Sequence, residues 1–587
     1  MSDAPTDTIP LRQYWALLNK YLRPHLGWTI GLAVLVFAGI GLQLVSPQIM
    51  RRFIDGAGDT NVPPDAVLVS ALLFVGAALA RQVLGLLSTY IGQRVAWQAT
   101  NALREDLTLH CLRLDMSFHN ERTPGEMIER IDGDVASLAA FFSQFAVHIL
   151  SSLLMLAGTL VVFAVEDWRL GAVMTVYAAL TLLALSRLHN VAMPFWRSAR
   201  EAAADLFGFL EERLSGTIDI RALGAVPYAM RRLYHFTGER LARELRASII
   251  AMRIGFVDIG SHTIGQVLTV AAGYYLFREV GVTLGTVAML VYYTDLLHRP
   301  LTQLTEQIEE LQRAGASVGR VGELFREQSM IHTTDPVQLP GGPLTVQFHD
   351  LCFAYHQENV LEDLTFDVQA GRILRLLGRT GSGKTTITRL LTRLYDPQRG
   401  CVRLGGTDLS RVEPEELRNR VGMVSQNVQL LSGTVRDNLT LFDPTHSDTL
   451  IEDAIQDVGM GAWYDELPEG LNTKLESDGS GLSAGEAQLL TLARAFLSDP
   501  GLVILDEASS RLDPVTEAQI ERAVDRLLRG RTGIVIAHRL STVQRADDIL
   551  ILEDGRIEEW GPRVALAADP SSRFAQLLKT GLAEVLA

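Results

Sequence analysis

The stretch Gly378-Arg379-Thr380-Gly381-Ser382-Gly383-Lys384-Thr385-Thr386 holds residue types at a spacing that could enclose a chain of phosphates. Its glycines let the backbone close around an anion and present N–H groups at the start of a helix, whose dipole favours negative charge. Lys384 would add a cation at the β- and γ-phosphates, and the Thr385 hydroxyl could reach Mg²⁺. A second pair, Asp506-Glu507, ends the apolar run 502–505. One carboxylate could hold the ion through water, and the other could polarise an attacking water. His538 closes a further apolar run, 534–537, where an imidazole could touch the terminal phosphate and sense its loss. A glycine-rich turn, two solvated carboxylates and a structural histidine are the bland readings, and they weaken when all three features share one chain.

These groups need strands and a helix to position them. The apolar segment 373–377 before the glycines and the helical pattern 386–394 after them predict strand, loop and helix in that order. Short alternating strands such as 344–348 begin after the turn-rich Pro340-Gly341-Gly342-Pro343. A soluble domain is therefore expected over 344–587, with 331–343 as a linker.

The preceding part of the chain is different. Mostly apolar stretches at 28–49, 67–91, 138–165, 170–188, 254–277 and 283–298 approach or exceed the roughly 20 residues that a membrane span requires. Long charged stretches with helical periodicity, such as 197–246, separate the second from the third and the fourth from the fifth. The connections around Asp55, Asp167 and Arg278 are short or poor in basic residues, so the positive-inside bias places the long connections in the cytosol. A transmembrane domain is expected over 27–330. Ahead of it, Leu11, Tyr14, Trp15, Leu18, Tyr21 and Leu22 recur at helical spacing among Arg12, Lys20 and Arg23, which predicts an interfacial helix within 1–26. Arg81, Asp258, His262 and Asp295 fall inside spans, where an ionisable group costs about 3 kcal/mol or more unless it faces protein or water. They are expected to line a hydrated cavity or gate, or to pair internally.

Composition sets limits on partners. The 587 residues are 48% hydrophobic and 21% charged, with mean hydropathy +0.16. Residues 1–330 carry 28 basic and 30 acidic side chains against 25 and 38 in the rest. A pI near 5.4 argues against nucleic acid as a partner, since that needs a basic footprint. Cys111, Cys352 and Cys401 match no metal or disulfide spacing. Asp3 and Asp7 stand where a cleaved secretory signal would be basic.

On the glycine loop, Asp506-Glu507, His538 and the six apolar stretches, the chain resembles half-transporters of the ABC exporter type. The resemblance implies an α-helical six-span membrane domain followed by an α/β P-loop ATPase domain with an antiparallel β subdomain and a helical subdomain. It implies ATP-driven export of a small molecule, lipid or peptide across the cytoplasmic membrane, with Mg²⁺ as cofactor and a second half-transporter chain as partner. Tyr355 resembles the aromatic that stacks on adenine, Gln426 the switch glutamine that links Mg²⁺ to the membrane domain, and Asp513 the loop that crosses to the partner. Leu482-Ser483-Ala484-Gly485-Glu486 resembles the signature, usually Leu-Ser-Gly-Gly-Gln, whose Ser483 and Gly485 positions touch the γ-phosphate of a partner-bound nucleotide. Coupling segments are implied near 118–125 and 216–228.

Three departures stand out. Ala484 replaces a glycine and Glu486 a glutamine, while Ser477 occupies a place where the family has a glutamate. A Cβ crowds a close backbone approach, and a carboxylate near phosphate is unfavourable unless it is protonated or turned away. Residues acting within this chain's own half-site are intact, and those offered to a partner are altered. That asymmetry tilts the expectation from homodimer to heterodimer. An ATP-gated channel and an importer on the same architecture are the alternative readings.

Overall fold

Stretches rich in Leu, Ala, Val and Ile satisfy their backbone groups internally by coiling into helices, the available solution in hydrocarbon. In chain order these are α1 (Leu26–Gly58), α2 (Pro64–Arg113), the short α3 (Met116–Glu121), α4 (Ala146–Glu166), α5 (Trp168–Ser215), the short α6 (Thr217–Ala222), α7 (Val226–Tyr275) and α8 (Leu284–Arg326). This computed structural model describes residues 19–141, 146–356, 358–425, 429–476, 482–506, 514–536 and 545–580. The chain divides into two units, Met1–Leu112 with Thr123–Glu327, and Arg113–Arg122 with Gln328–Ala587.

In the first unit, Asn19–Gly58, Pro64–Arg113, Ile149–Glu166 and Trp168–Ser215 are long and apolar enough to cross a membrane by length and composition. α7 and α8 fall short of that composition, and they carry Asp258, His262, Asp295 and His298. A helix of 50 residues such as α2 is about 75 Å long, far beyond the roughly 30 Å hydrocarbon layer. α2, α5, α7 and α8 therefore continue out of the membrane as the charged extensions expected from sequence.

The turns between spans are fixed by carboxylates. Asp167 caps α5 by accepting from the Arg169 and Leu170 N–H groups, and Gly171 lies so close to Ala164 that a Cβ would sit 2.6 Å from its Cα. Asp55 accepts from the Gly285 N–H at 2.9 Å and the Thr283 hydroxyl at 2.7 Å, and Arg51 pairs with Glu166 at 2.9 Å. Among the extensions, buried Asp134 accepts from Arg320 Nε and from the Ser317 hydroxyl, each at 2.9 Å. Lys20 and the Tyr21 hydroxyl both reach Asp106 at 2.8 Å, so buried Tyr21 turns toward protein. The other residues of the expected interfacial helix, up to Leu18, lie outside the described residues.

The second unit is built on strands β1 (Val346–Ala354), β2 (Asn359–Val368), β3 (Ile373–Gly378), β4 (Arg399–Leu404), β5 (Thr407–Asp408), β6 (Val421–Val424), β7 (Gly433–Thr434), β8 (Lys474–Leu475), β9 (Leu502–Asp506), β10 (Thr532–Ile536), β11 (Asp548–Glu553) and β12 (Arg556–Pro562). An antiparallel sheet has the order β2-β1-β4-β5, and a six-stranded sheet has the order β12-β11-β3-β10-β9-β6. All neighbours in the larger sheet are parallel except β11 with β12. Its central strands are apolar without alternation because both faces are covered. Leu374, Leu376, Ile504 and Ile534 join the core shared with the antiparallel sheet, while Val503, Leu505 and Val535 join a second core under the helical subdomain. Arg375 interrupts this pattern: it is buried in β3, and burial pushes its guanidinium down to about 10 despite the opposing pull of Asp525.

The linker is held rather than loose. Buried Arg393 donates to the backbone carbonyls of His332, Ser410 and Val412, and Arg420 donates to those of Pro340 and Gly342. Within this same unit, α3 is capped by Asp115, which accepts from Ser117 N–H at 3.1 Å and from Met330 N–H at 2.6 Å. Met116 packs on the core, and the Asn120 amide donates to the Tyr395 hydroxyl. This is one of the two segments expected to couple the domains. The other, around α6, exposes Ile218, Leu223 and Tyr228 in the first unit.

Candidate nucleotide site

β3 delivers the chain to Gly378 between parallel partners β10 and β11. Gly378 has φ +148°, and a Cβ there would lie 2.3 Å from the Leu552 carbonyl oxygen. Gly383 has φ +103°, and its Cβ would lie 2.5 Å from Leu361 Cδ2. No other residue type meets both demands, so the loop's shape is set by its glycines. Lys384 Nζ crosses the loop and donates to the carbonyls of Gly378 and Arg379 at 2.7 and 2.8 Å. Helix α9 (Lys384–Leu391) begins at Gly383 with no side-chain cap, and the Ser382 hydroxyl is buried without a partner. Uncapped helical N–H groups beside an orphaned hydroxyl fit an anionic occupant.

β10 sets Ile536 opposite Asp506 at the end of β9, which carries this buried carboxylate toward the loop. Tyr355, Thr380, Gly381, Gly383, Lys384, Thr385, Thr386 and Asp506 line one cavity of about 600 Å³. Val360, Arg389 and Ile536 complete its wall. These three were missed in the sequence. Arg389 could have been found, since it stands three residues beyond Thr386 on the same helix face. It donates to the Tyr355 hydroxyl at 3.0 Å, which also meets Thr386 Oγ1 at 3.2 Å, so the Tyr355 ring is held at the cavity edge. Tyr395 meets that ring edge-on, with centroids 5.1 Å apart.

Gln426, Ser477, Glu507, Asp513 and His538 lie outside the described residues. The strands that precede three of them, β6, β9 and β10, are adjacent and in parallel register.

The signature stretch stands apart from this cavity. Ser483 caps helix α10 (Ala484–Leu497) by accepting from the Glu486 N–H at 3.2 Å. The Glu486 carboxylate accepts in turn from the Ser483 N–H at 2.7 Å and from its hydroxyl at 2.8 Å. Ala484 is exposed, whereas Gly485 is buried so tightly that a Cβ would meet Thr516 Cγ2 at 2.0 Å. Gly485 is thus required by packing as well as by any contact with a partner.

In the spans, Asp258, His262 and Asp295 are brought together with His298, which the sequence reading did not single out. Spacings of four on α7 and three on α8 were the available signal. Arg81 is on α2 and pairs with no carboxylate among the described residues.

A unit of long apolar helices joined to a P-loop domain with a strand-end carboxylate defines a membrane-bound ATPase. Comparison with known proteins identifies its kind. The model for the ABC transporter transmembrane region matches residues 29–301, and the model for the ABC transporter domain matches 361–510. A probable multidrug resistance ABC transporter ATP-binding/permease protein of Bacillus subtilis is 31% identical over 491 residues, 82% of this chain and 72% of that protein. An uncharacterized ABC transporter ATP-binding protein of the same organism is 29% identical over 556 residues, 94% and 91% of the two chains. The structure of a bacterial Atm1-family ABC exporter with ATP bound has the same fold, with TM-score 0.79 over 96% of this chain and 99% of that one at 23% identity. The chain belongs to the ABC transporters. It is a multi-pass membrane protein with a cytosolic ATPase domain, and it couples ATP hydrolysis to transport.

Proposed function

We propose that this chain is one half of an asymmetric ABC exporter, in which its own P-loop works against a partner's signature and its own signature serves a weaker site. The observation that carries this reading is the contrast between the open phosphate loop and the signature serine engaged by Glu486. In the competent site Lys384 and the loop N–H groups hold the β- and γ-phosphates, and Tyr355 stacks on adenine. Thr385, Asp506 and Gln426 are the residues that would hold Mg²⁺, which neutralises phosphate charge when bound. Glu507 takes the proton of the attacking water, His538 contacts the γ-phosphate, and Asp513 crosses to the partner. The partner supplies Ser483- and Gly485-equivalent contacts from an unaltered signature.

ATP binding closes two nucleotide domains, and α3 and α6 pass that change to the spans. The binding energy of ATP thereby shifts a membrane equilibrium, and hydrolysis resets it. The transported molecule is apolar in its larger part: a cavity of about 800 Å³ between α5 and α7 is lined by Val173, Val176, Leu180, Phe256, Ile264 and Leu268.

The test is Mg²⁺-ATP hydrolysis by this chain alone in lipid nanodiscs at verified stoichiometry, with Glu507→Gln as the blank. A folded chain that binds ATP but stays at the blank agrees with the asymmetric pair. Turnover well above the blank by a two-chain particle establishes a homodimer instead.

A further inference from the structure

The polar groups of the fifth and sixth spans form one cluster between α7 and α8. His298 Nε2 lies 3.0 Å from Asp258 Oδ1, and His262 Nε2 lies 3.4 Å from Asp295 Oδ1. The two imidazoles meet at a tilt of 47° with centroids 4.7 Å apart. Gln266 donates to Asp295 at 2.5 Å and Thr302 to Asp258 at 3.2 Å. Among the described residues no Lys or Arg pairs with either carboxylate. Nδ1 of both rings is buried without a partner, and the Asp295 side chain is 52% exposed, leaving the cluster open on one side.

The cluster holds two carboxylates and, among the described residues, no Lys or Arg to balance them, so it is short of permanent positive charge. Inside a span that shortage is costly, by about 3 kcal/mol or more. Nε2 of each ring lies beside a carboxylate, and in the neutral tautomer with its proton on Nε2 the ring leaves Nδ1 as an acceptor. The cluster thus offers acceptors on every free atom. A ligand that completes it, in place of protonation of one of its own rings, would bring a positive charge and N–H donors together. A metal ion brings charge, but no three His, Cys, Asp or Glu side chains among the described residues converge as a metal requires. An ammonium group brings both, with three donors on one charged centre.

We propose that Asp258, His262, Asp295 and His298 form a binding station for a protonated amine carried by the transported molecule. The word transported rests on the export reading above, whereas the binding itself does not.

The experiment compares a dansyl-labelled alkylamine with its N-acetyl derivative, which keeps the apolar body and removes the charge. Binding of each to the full chain in nanodiscs is followed by fluorescence without nucleotide. The amine is expected to bind at least about tenfold more tightly than the amide, a factor equal to about 1.4 kcal/mol. Asp295→Asn and Asp258→Asn should each remove that preference, while Asp295→Glu retains it. Unchanged amide affinity and a monodisperse elution show that a variant is folded. Equal binding of amine and amide by the parent, or an amine preference that survives both Asn variants, overturns the station. An amine that binds but is never moved by ATP would leave the station standing and remove its assignment to the transported molecule. An amine that is moved while both Asn variants keep the preference would remove the station alone.

Discussion

Two helices of the nucleotide domain begin beside residues implicated in phosphate contact, and they begin in opposite ways. α9 starts from Gly383 with no side-chain cap, so its first N–H groups and its dipole are left for a ligand. α10 starts from Ser483 in a closed capping box with Glu486, whose carboxylate already supplies the negative charge that the helix end favours. The lesson is that a helix N-terminus becomes an anion site when the chain withholds its own acceptor. Glycine does this at the P-loop. At the signature the chain supplies the acceptor itself, and a second anion arriving from a partner would meet a carboxylate.

The largest expected effect breaks the open end. Gly383→Ala places a Cβ against Leu361 at a φ of +103° that side chains rarely adopt, so the loop must deform. ATP affinity should fall by at least about a hundredfold, roughly 2.7 kcal/mol, as read by titration with a fluorescent ATP analogue. Affinity within threefold of the parent would show that the loop's shape does not depend on that glycine.

Next comes the attempt to open the closed end. Ala484→Gly with Glu486→Gln removes the Cβ and the charge while keeping a side chain able to cap. ATP turnover by this chain alone should rise about tenfold above that of the parent, corresponding to about 1.4 kcal/mol in the barrier. If turnover stays at the Glu507→Gln level, the signature is not what limits the isolated chain.

A smaller change measures the cap itself. Glu486→Ala leaves the Ser483 N–H without its acceptor, and the loss should be about 1 kcal/mol. In a unit of this size that lowers Tm by about 2–4 °C in a thermal scan. An unchanged Tm would mean that solvent caps α10 equally well.

The smallest effect concerns α3, the coupling segment that packs within the nucleotide unit. Burial opposes the charge of Asp115, but N–H donors from Met330, Phe118 and Ser117 outweigh it and hold the carboxyl below the usual aspartate range. A folded value below the unfolded one gives stability that is present above the ordinary value near 3.9 and lost as pH falls through the folded value. The protection of amides across 116–121, corrected for the intrinsic exchange rate at each pH, should therefore fall below about pH 4 in the parent. In Asp115→Asn that protection should be lower already at neutral pH and lack the acid step. An acid step that persists in the variant would assign it to another group.

Much of this was legible along the chain. The P-loop could be read because strand, glycines, lysine and helix are contiguous, and Asp506 because a strand's end is visible as the end of an apolar run. Four spans were legible by length and composition, whereas α7 and α8, expected as the fifth and sixth, fall short of that composition because of the same polar groups that meet between them. Arg389 was not read because its role depends on reaching across to Tyr355. His298 was not read because its partner Asp258 is 40 residues away on another helix. Arg375 was hidden for the converse reason: a strand of apolar residues gives no notice that one buried cation is included.

Residue identity by itself determined which backbone positions accept positive φ, which segments are apolar enough to leave water, and which groups can bear a proton or hold an anion, since these are properties of single side chains and their immediate neighbours. Tertiary structure alone decided that Asp258 and Asp295 find imidazoles rather than cations, and that α3 packs with the nucleotide unit through Met116 and Asn120. The physical reason is that charge and hydrogen-bond energies depend on distances of a few ångströms between groups, and packing fixes those distances.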